Sequence, residues 1–442
     1  MRYGALILGM IAALAVGGPV SAAASGTFPL AVQPGKRYLV DAAGKPFLIK
    51  GDTAWSLIAE LRREEVTTYL DDRRSRGFNA ILVSLIERFY SSNPPHNAYG
   101  DAPFVVADDY ATPNERYFAQ ADWVLRQAAD RGFLVLLTPS YAGAQGGYEG
   151  WYQAMLANGP EKLRAYGRYL GKRYRDFSNI LWIQGGDYHP PDKDLVRALA
   201  QGIQEQDPDA LQSAHGGVES AALEYWRGES WLNVNTVYTY GDVRAATAAQ
   251  WLDASRMPFF LIEGLYENEH QTSVRRLRQQ SYEALLTGAA GQVFGNNPIW
   301  HFDGPGLFDA PTSWRAALGS RGAESMAHLH RLFDGLPWWK LRPDLEGFFL
   351  DQAEGAAADE PAAALAADGS FALTYVPVPS AITLDLDRLA GPNVRLKWYD
   401  PAGGWFVGPD QVFKPSTSRV QVRTPGANAS GLGDWLLLAE SF

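Results

Sequence analysis

The chain contains no cysteine among its 442 residues. This absence excludes disulfide bonds and metal sites built on thiolates, so the fold has to be stabilised by packing alone. A basic stripe is missing too, because the formal net charge is −10 and Lys and Arg are scattered through the predicted helices. We therefore expect neither a nucleic acid nor an anionic membrane surface as a partner.

Long apolar runs are missing as well, except for one near the N-terminus. Arg2 precedes an apolar stretch at residues 5–16, and small residues follow at residues 19–24. This layout is typical of a secretory signal peptide, and the apolar core is too short for a comfortable membrane span. An uncleaved anchor is the alternative. The sequence predicts a signal peptide over residues 1–24 and a soluble mature protein, secreted or periplasmic, that is a monomer or a weak oligomer.

Metal-binding motifs are missing from the sequence as well. The chain has seven histidines but no His-Glu-x-x-His sequence, and His328 and His330 do not lie on one helical face. No loop shows a specific spacing of calcium ligands. We therefore expect no metal ion and no cofactor.

What the sequence does contain is a regular alternation of apolar runs with amphipathic, helix-like stretches up to about residue 335. The apolar runs lie at residues 47–49, 80–83, 133–137, 180–183, 211–214, 232–237, 259–262 and 292–294. Eight strands separated by helices predict an α/β fold, a (β/α)8 TIM barrel over residues 25–344. The alternative is an open doubly wound sheet, but residues 51–55 lack the glycine spacing of a phosphate-binding loop.

The character of the sequence changes around residues 336–344. Beyond them, short runs that alternate or are rich in β-branched residues are separated by Gly, Pro, Asn and Asp. Short strands with turn signals at this spacing predict a small antiparallel β-sandwich over residues 345–442.

Two carboxylates, Asp187 and Glu263, each follow an apolar run directly. Acidic residues at strand ends sit where a TIM barrel keeps its active site, and a pair of them indicates glycosidic bond cleavage. Two alternatives stay open: Asp187 could cap a helix beginning near Pro191, and Glu263 could form an ion pair with an arginine. Glu267 competes with Glu263, although its loop position favours a substrate contact.

Polar and aromatic residues follow the other strands. Aromatic rings suit the CH-rich faces of sugars, and Asn, His and Asp suit their hydroxyl rims, so these residues are candidate pocket walls. Trp55 could equally be part of the core. The predicted substrate-binding residues are Asp52, Trp55, Tyr141, His189, His215, Tyr238, Glu267, Asn297 and Trp300, with Tyr240, Asn296 and His301 as further candidates.

Several stretches resemble one family of enzymes. They lie at residues 51–55, 69–79, 181–187, 262–267 and 336–344. Through them the chain resembles the apiosidase-like glycoside hydrolases, whose barrel is followed by a domain labelled as collagen-binding. The resemblance implies a retaining mechanism in which Asp187 is the acid/base and Glu263 is the nucleophile. Residues 237–242 depart from the Gln-Ser-Gly-His-like stretch expected there, so apiose and another pentofuranose such as arabinofuranose are equally reasonable substrates.

The separation of the two carboxyl groups distinguishes the possible mechanisms. A distance of about 5 to 5.5 Å indicates retention of configuration, whereas roughly 6.5 to 9.5 Å indicates inversion. Two hypotheses compete with a secreted hydrolase of plant or microbial polysaccharides. One is a non-catalytic carbohydrate-binding protein on a degenerate barrel, and the other is an adhesin whose C-terminal domain binds collagen.

Overall fold

The computed structural model describes residues 27–353, 359–414 and 418–442. The signal peptide predicted over residues 1–24 lies outside the described residues. Within the described part of the chain, no helix combines the length and the apolar character that crossing a membrane requires.

Eight parallel strands form the first part of the structure. They are β1 (Ile49–Thr53), β2 (Ala80–Ser84), β3 (Leu134–Thr138), β4 (Ile180–Gly185), β5 (Leu211–His215), β6 (Asn235–Tyr238), β7 (Phe259–Glu263) and β8 (Gly291–Phe294). Nearly every residue in them is buried, which is typical of parallel strands covered by helices on the outside.

The strands follow one another around a barrel. Hydrogen-bonded neighbours run from β5 through β4, β3, β2 and β1 to β8, β7 and β6, and the short strand Ser220–Ala221 pairs antiparallel with β6. The barrel closes between β5 and β6, where the backbone N–H groups of Asn233 and Val234 donate to the Gln212 carbonyl oxygen at 3.1 and 3.3 Å. The predicted (β/α)8 TIM barrel is confirmed, and the open sheet is excluded.

Helices connect the strands on the outside of the barrel. They are Leu57–Glu60, Arg63–Ser75, Glu115–Asp130, Tyr152–Tyr174, Lys193–Gln206, Ala222–Trp226, Val243–Leu252, Val274–Leu286, Trp314–Ala317 and Arg321–Asp334, with 3-10 turns at Ala144–Gly146 and Trp338–Lys340. The longest helix contains a break at Gly159, whose φ is 72°, followed by Pro160 as the start of its second part.

The first barrel strand, β1, begins later in the chain than the sequence predicts. Leu39–Val40 pairs antiparallel with Pro46–Phe47 and with Ala31–Val32, so Phe47 belongs to this small sheet. The first barrel strand then begins at Ile49 and continues to Thr53. Asp52 therefore lies inside β1, where alternation of side chains decides which way it points.

The C-terminal part is an antiparallel β-sandwich, as predicted. One sheet has the order Leu341–Pro343, Ala362–Ala366, Phe371–Val376, Trp435–Ser441, Val394–Asp400 and Trp405–Phe413; the other has the order Leu350–Ala353, Ala381–Asp385 and Arg419–Arg423, and a 3-10 turn lies at Leu386–Arg388. Ile382 and Leu384 of the second sheet pack against Trp398 and Leu437 of the first. The first sheet begins at Leu341, a few residues before the predicted boundary at residue 345.

A buried ion pair joins the sandwich to the barrel. Arg278, in the barrel helix Val274–Leu286, donates to both carboxylate oxygens of Asp434 at 2.7 Å, and both side chains are completely buried. Tyr282 of the same helix stacks on Tyr375, with ring centroids 4.9 Å apart. The sandwich therefore packs tightly on the barrel wall.

Candidate active site

A cleft opens at the carboxyl ends of the barrel strands, and both predicted catalytic carboxylates line it. Its volume is about 500 Å³ including the open mouth. The lining residues are Trp55, Ser84, Glu87, Tyr90, Tyr141, Asp187, Tyr240, Glu263, Tyr266, Glu269, Trp300 and Leu307.

Two glycines directly before Asp187 allow its side chain to point into this cleft. Gly185 and Gly186 have φ values of 79° and 139°, a region that favours glycine. A Cβ atom at Gly186 would lie 2.4 Å from the Tyr141 ring, and one at Gly185 would lie 2.8 Å from the His215 carbonyl oxygen. The chain can therefore turn Asp187 inward only because neither residue carries a side chain.

The structure excludes helix capping as the role of Asp187. The helix Lys193–Gln206 begins at Asp192, whose own side chain accepts the N–H of Asp194. The Asp187 side chain remains 25% exposed and contacts the cleft. A carboxyl group that is still reachable from solvent can exchange a proton with a bound ligand.

Glu263 ends β7, and a histidine rather than an arginine is its partner. His215 Nε2 lies 2.8 Å from Glu263 Oε2, and His215 Nδ1 lies 3.2 Å from Asp187 Oδ1. The imidazole is completely buried between the two carboxylates. Burial lowers the pKa of His215, but its hydrogen bond to Glu263 and the charge of Asp187 outweigh that effect, so this pKa lies above its ordinary value.

The two carboxylates also receive hydrogen bonds from tyrosines. Tyr141 donates to Asp187 Oδ2 at 2.8 Å, and Tyr240 donates to Glu263 Oε1 at 3.0 Å. Burial and the adjacent carboxylates raise the pKa of both phenols, which therefore remain donors at any working pH. The two tyrosines fix the orientation of the acidic groups that they contact.

Burial and the charge of Asp187 raise the pKa of the Glu263 carboxyl. The hydrogen bonds from His215 and Tyr240 act in the opposite direction, because they stabilise the charged form. Removing either donor would therefore make Glu263 harder to ionise.

The two carboxylates are close together. One carboxylate oxygen of Asp187, one of Glu263 and a ring nitrogen of His215 lie within 4.8 Å of one another. These three atoms are close enough to hold a metal ion, but each ring nitrogen of His215 already faces one carboxylate. The hydrogen bond between His215 Nε2 and Glu263 accounts for this contact without a metal ion.

Three predicted sugar-binding residues besides the acidic pair line the cleft. Trp55, Tyr141 and Trp300 all contribute ring surface to it, and Tyr240, a further candidate, joins them. The Trp55 indole N–H donates to the Tyr266 hydroxyl at 3.3 Å, and its ring lies 5.7 Å from that of Tyr141. The aromatic wall predicted from the sequence is therefore present.

The structure does not bring Asp52 to the cleft. Its carboxylate points outward to the helix Arg63–Ser75, where it accepts hydrogen bonds from Arg73 Nε at 2.6 Å and from the Tyr69 hydroxyl at 2.7 Å. Both members of the Asp52–Arg73 pair are completely buried. The sequence placed Asp52 after the strand, but its position inside β1 sends the side chain to the outer face.

Glu267 and Asn297 also lie outside the cleft lining. Glu267 accepts the N–H of Gly322 at 2.8 Å and the Ser320 hydroxyl at 2.6 Å, so it holds the start of the helix Arg321–Asp334. The Asn297 side chain accepts a hydrogen bond from His301 Nε2 at 2.8 Å, within the loop after β8. Both side chains organise loops instead of facing a ligand.

Three other candidates stand behind the cleft wall. His189 hydrogen-bonds to Ser220 Oγ at 2.9 Å. Tyr238 donates to the Tyr240 hydroxyl at 3.0 Å. His215 has no exposed surface; it contacts both carboxylates, and its ring lies against those of Trp55 and Tyr238. Asn296 similarly donates to Glu267 Oε2 at 2.8 Å.

Sequence reasoning missed several lining residues at the end of β2 and in the loops after β2, β7 and β8. They are Ser84, Glu87, Tyr90, Tyr266, Glu269 and Leu307. The signal for Glu87 was present, because it is an acidic residue at the end of the apolar run 80–86. Its Oε1 accepts the backbone N–H groups of residues 88–90 at 2.8 to 3.1 Å, which organises the loop that carries Tyr90.

Two family models match the chain. Residues 33–340 match the model of the family described as "Apiosidase-like, catalytic domain", and residues 348–440 match a "Putative collagen-binding domain of a collagenase". A search of the curated proteins finds no match.

Solved structures show the same fold. A glycoside hydrolase family 5 protein from Bacteroides vulgatus superposes with a TM-score of 0.81 and 22% identity, over 93% of this chain and 92% of that chain. A second structure, described as a glycoside hydrolase, also gives a TM-score of 0.81 and 22% identity, over 94% of this chain and 97% of that one.

Proposed function

Because the chain belongs to the apiosidase-like family of glycoside hydrolases, we propose that it hydrolyses a furanoside with retention of configuration, using Asp187 as the acid/base and Glu263 as the nucleophile. One observation carries this proposal. One oxygen of each carboxylate lies within 4.8 Å of the other in a single cleft, which favours the roughly 5 to 5.5 Å separation of retaining enzymes over the roughly 6.5 to 9.5 Å of inverting ones.

The first half of the reaction forms a covalent intermediate. A Glu263 oxygen attacks the anomeric carbon of the sugar as the glycosidic C–O bond breaks, and Asp187 donates its proton to the departing oxygen. In the second half, Asp187 removes a proton from water, the water oxygen attacks the same carbon and the Glu263–sugar bond breaks. Two displacements at one carbon restore its original configuration.

His215 and Tyr240 prepare Glu263 for the attack. Their hydrogen bonds favour the ionised carboxylate, opposing the burial and the Asp187 charge that disfavour it. These two donors therefore favour the ionised, nucleophilic form of Glu263 in a water-poor site.

The walls of the cleft support a sugar as substrate. Aromatic rings of Trp55, Tyr141, Tyr266 and Trp300 surround the carboxylates, and such rings pack on the CH faces of sugars. Tyr240 occupies the segment in which this chain departs from the family pattern, and it touches the nucleophile. We therefore propose a pentofuranoside as the substrate, apioside or arabinofuranoside, without preference between them.

The stereochemistry of the product tests the mechanism. Aryl β-D-apiofuranoside and α-L-arabinofuranoside are incubated with the enzyme, and the anomeric protons of the first product formed are followed by NMR before mutarotation. We expect the released sugar to have the configuration of the substrate. Appearance of the opposite anomer first would contradict the roles assigned to Asp187 and Glu263.

We also propose that the protein is exported. Support comes from the sequence pattern of residues 1–24, in which Arg2, an apolar stretch and small residues follow one another. When the full chain is produced in a Gram-negative host, we expect the periplasmic fraction to contain a protein whose N-terminus lies near residue 25. Uncleaved protein that stays in the cytoplasm would contradict this proposal.

A further inference from the structure

The cleft contains more carboxyl groups than hydrolysis requires. Besides Asp187 and Glu263, its lining includes Glu87 and Glu269, and it includes no lysine or arginine among the described residues. The two extra carboxyl groups differ in availability. Glu87 is engaged by three backbone N–H groups and by the Ser56 hydroxyl, so it serves its own loop.

Glu269 is held in place through one oxygen only. The Trp300 indole N–H donates to Glu269 Oε1 at 2.8 Å. The Trp300 ring in turn makes an edge-to-face contact with the Tyr90 ring, with centroids 4.9 Å apart. Among the residues that the structure describes, no donor reaches Glu269 Oε2. One carboxyl oxygen is therefore anchored on the aromatic wall, and the other is available to a ligand.

The backbone around Glu269 is arranged to point this residue into the cleft. Asn268 and His270, on either side of it, have φ values of 69° and 48°, a left-handed conformation that non-glycine residues adopt at a cost. This strained turn makes two glutamates that are two residues apart point in different directions. Glu267 caps the helix Arg321–Asp334 outside the cleft, whereas Glu269 faces the inside.

We propose that Glu269 is a specificity-determining residue: its available oxygen binds a hydroxyl of the sugar in the cleft, and its charge excludes a sugar that carries a carboxylate there. This inference rests on the proposed function and narrows its substrate to neutral sugars. Burial raises the pKa of Glu269 to about 7, with a smaller contribution from the charge of Glu263. Above about pH 7 Glu269 therefore carries the charge that excludes an acidic sugar, and below it the protonated carboxyl can also donate a hydrogen bond to a sugar hydroxyl.

Substrate analogues test the hydroxyl contact. The kcat and KM of the wild type and of Glu269→Ala are measured on the parent aryl furanoside and on its monodeoxy analogues. The wild type should lose about 10- to 100-fold in kcat/KM on one analogue, and Glu269→Ala should lose a similar factor on the parent but little more on that analogue. If every analogue is impaired as strongly in the variant as in the wild type, the contact does not exist.

Glu283→Gln is the matched control for a purely structural effect. Glu283 is also buried with its pKa raised to about 7, but it accepts a hydrogen bond from Gln279 within the helix Val274–Leu286, away from the cleft lining. We expect this variant to keep the wild-type kcat, KM and preference among analogues. A change of preference equal to that of Glu269→Ala would overturn the specific role of Glu269.

Acidic sugars test the charge effect. The Glu269→Gln side chain keeps its shape and a hydrogen-bonding oxygen but loses the charge, so it should bind the uronic acid related to the substrate sugar roughly 10-fold more tightly than the wild type. Inhibition by the neutral sugar should change less. Equal inhibition of both proteins by the uronic acid would contradict charge exclusion.

Binding measurements separate this inference from the proposed reaction. If the wild type hydrolyses no glycoside, the reaction proposed above fails, and calorimetry with apiose, arabinose and their acids decides the role of Glu269. In a Glu263→Gln background, adding Glu269→Gln should weaken binding of the neutral sugar and strengthen binding of the acid. Unchanged binding of both would overturn the inference whatever the reaction proves to be.

Discussion

Two buried clusters of charge lie on the same barrel, and they are neutralised in different ways. On the outer face of β1, Asp52 is paired directly with Arg73 and receives a further hydrogen bond from Tyr69. Both charges have no exposed surface. Arg73 also pairs with Asp72, and Asp72 with Arg76, so two negative groups balance two positive ones. With Asp52 and Arg73 sealed from solvent, the cluster can hold the helix Arg63–Ser75 against the strand but cannot meet a ligand.

The second cluster stands at the carboxyl ends of β4, β5 and β7. Asp187 and Glu263 share a single histidine, so two acidic groups face one imidazole and, among the described residues that line the cleft, no arginine or lysine. Asp187 is also exposed to the cleft. The comparison teaches that burial of a carboxylate alone does not identify a catalytic group; an incomplete charge balance beside an opening does.

Replacing the nucleophile should produce the largest effect. Glu263→Gln removes the attacking oxygen, and we expect kcat to fall at least about 10⁴-fold. The free energy of unfolding should stay constant or rise, because the substitution removes repulsion from Asp187. Activity assays and urea unfolding check the two parts. A folded variant with more than about one per cent of the wild-type kcat would contradict the assignment.

Breaking the buried Asp52–Arg73 pair should have the opposite effect: stability should fall and activity should not change. Asp52→Asn leaves the buried Arg73 with Asp72 alone as its counter-charge, and we expect a loss of about 3 kcal/mol in the free energy of unfolding. The kcat/KM of the folded enzyme should not change. Asp71→Asn is the control, because Asp71 is 60% exposed in its pair with Arg131 and should cost at most about 1 kcal/mol. A selective loss of sugar binding in Asp52→Asn would show that this residue serves the site after all.

Removing one donor from Glu263 should shift the pH dependence. Glu263 must be ionised to attack, so its pKa sets the acidic limb of kcat/KM. Tyr240→Phe removes a hydrogen bond that lowers this pKa; the acidic limb should therefore move upward, by about one pH unit. Tyr238→Phe, which removes the hydroxyl behind Tyr240, should move it less. A shift to lower pH would contradict the proposed function of the donor.

The smallest effect is expected at Glu267. Because its carboxylate holds the start of the helix Arg321–Asp334, Glu267→Gln should lower the free energy of unfolding by about 1 kcal/mol. The KM should remain at the wild-type value, unlike that of Glu269→Ala. An increase in KM without loss of stability would return Glu267 to the sugar site predicted from the sequence.

The sequence was sufficient for the barrel and for the position of the acidic pair. Apolar runs mark buried parallel strands, and a carboxylate directly after such a run lies at the functional end of the barrel. Asp187 and Glu263 were both found in this way, and the structure brings them together. The end of the first strand was harder, because the predicted run stopped at residue 49 whereas β1 continues from Ile49 to Thr53, so Asp52 lies inside the strand with its side chain on the outer face.

The loops set the limit of prediction. Glu267 and Glu269 are the same residue type and lie two residues apart, and nothing in the surrounding sequence distinguishes them. The left-handed conformations of Asn268 and His270 decide which of them faces the cleft, and these depend on contacts such as the Asn268 side chain with the Asn297 carbonyl oxygen. Likewise, the partner of Glu263 is a histidine from β5, a contact that depends on closure of the barrel.

Trapping the covalent intermediate tests the central claim most directly. The enzyme is treated with the 2-deoxy-2-fluoro furanosyl fluoride of the sugar that it hydrolyses, digested, and mapped by mass spectrometry. We predict a single sugar adduct on the peptide that contains Glu263, absent from Glu263→Gln. An adduct on Asp187 or Glu269 would contradict the account. Steady turnover that gives an inverted product and forms no adduct would contradict it too.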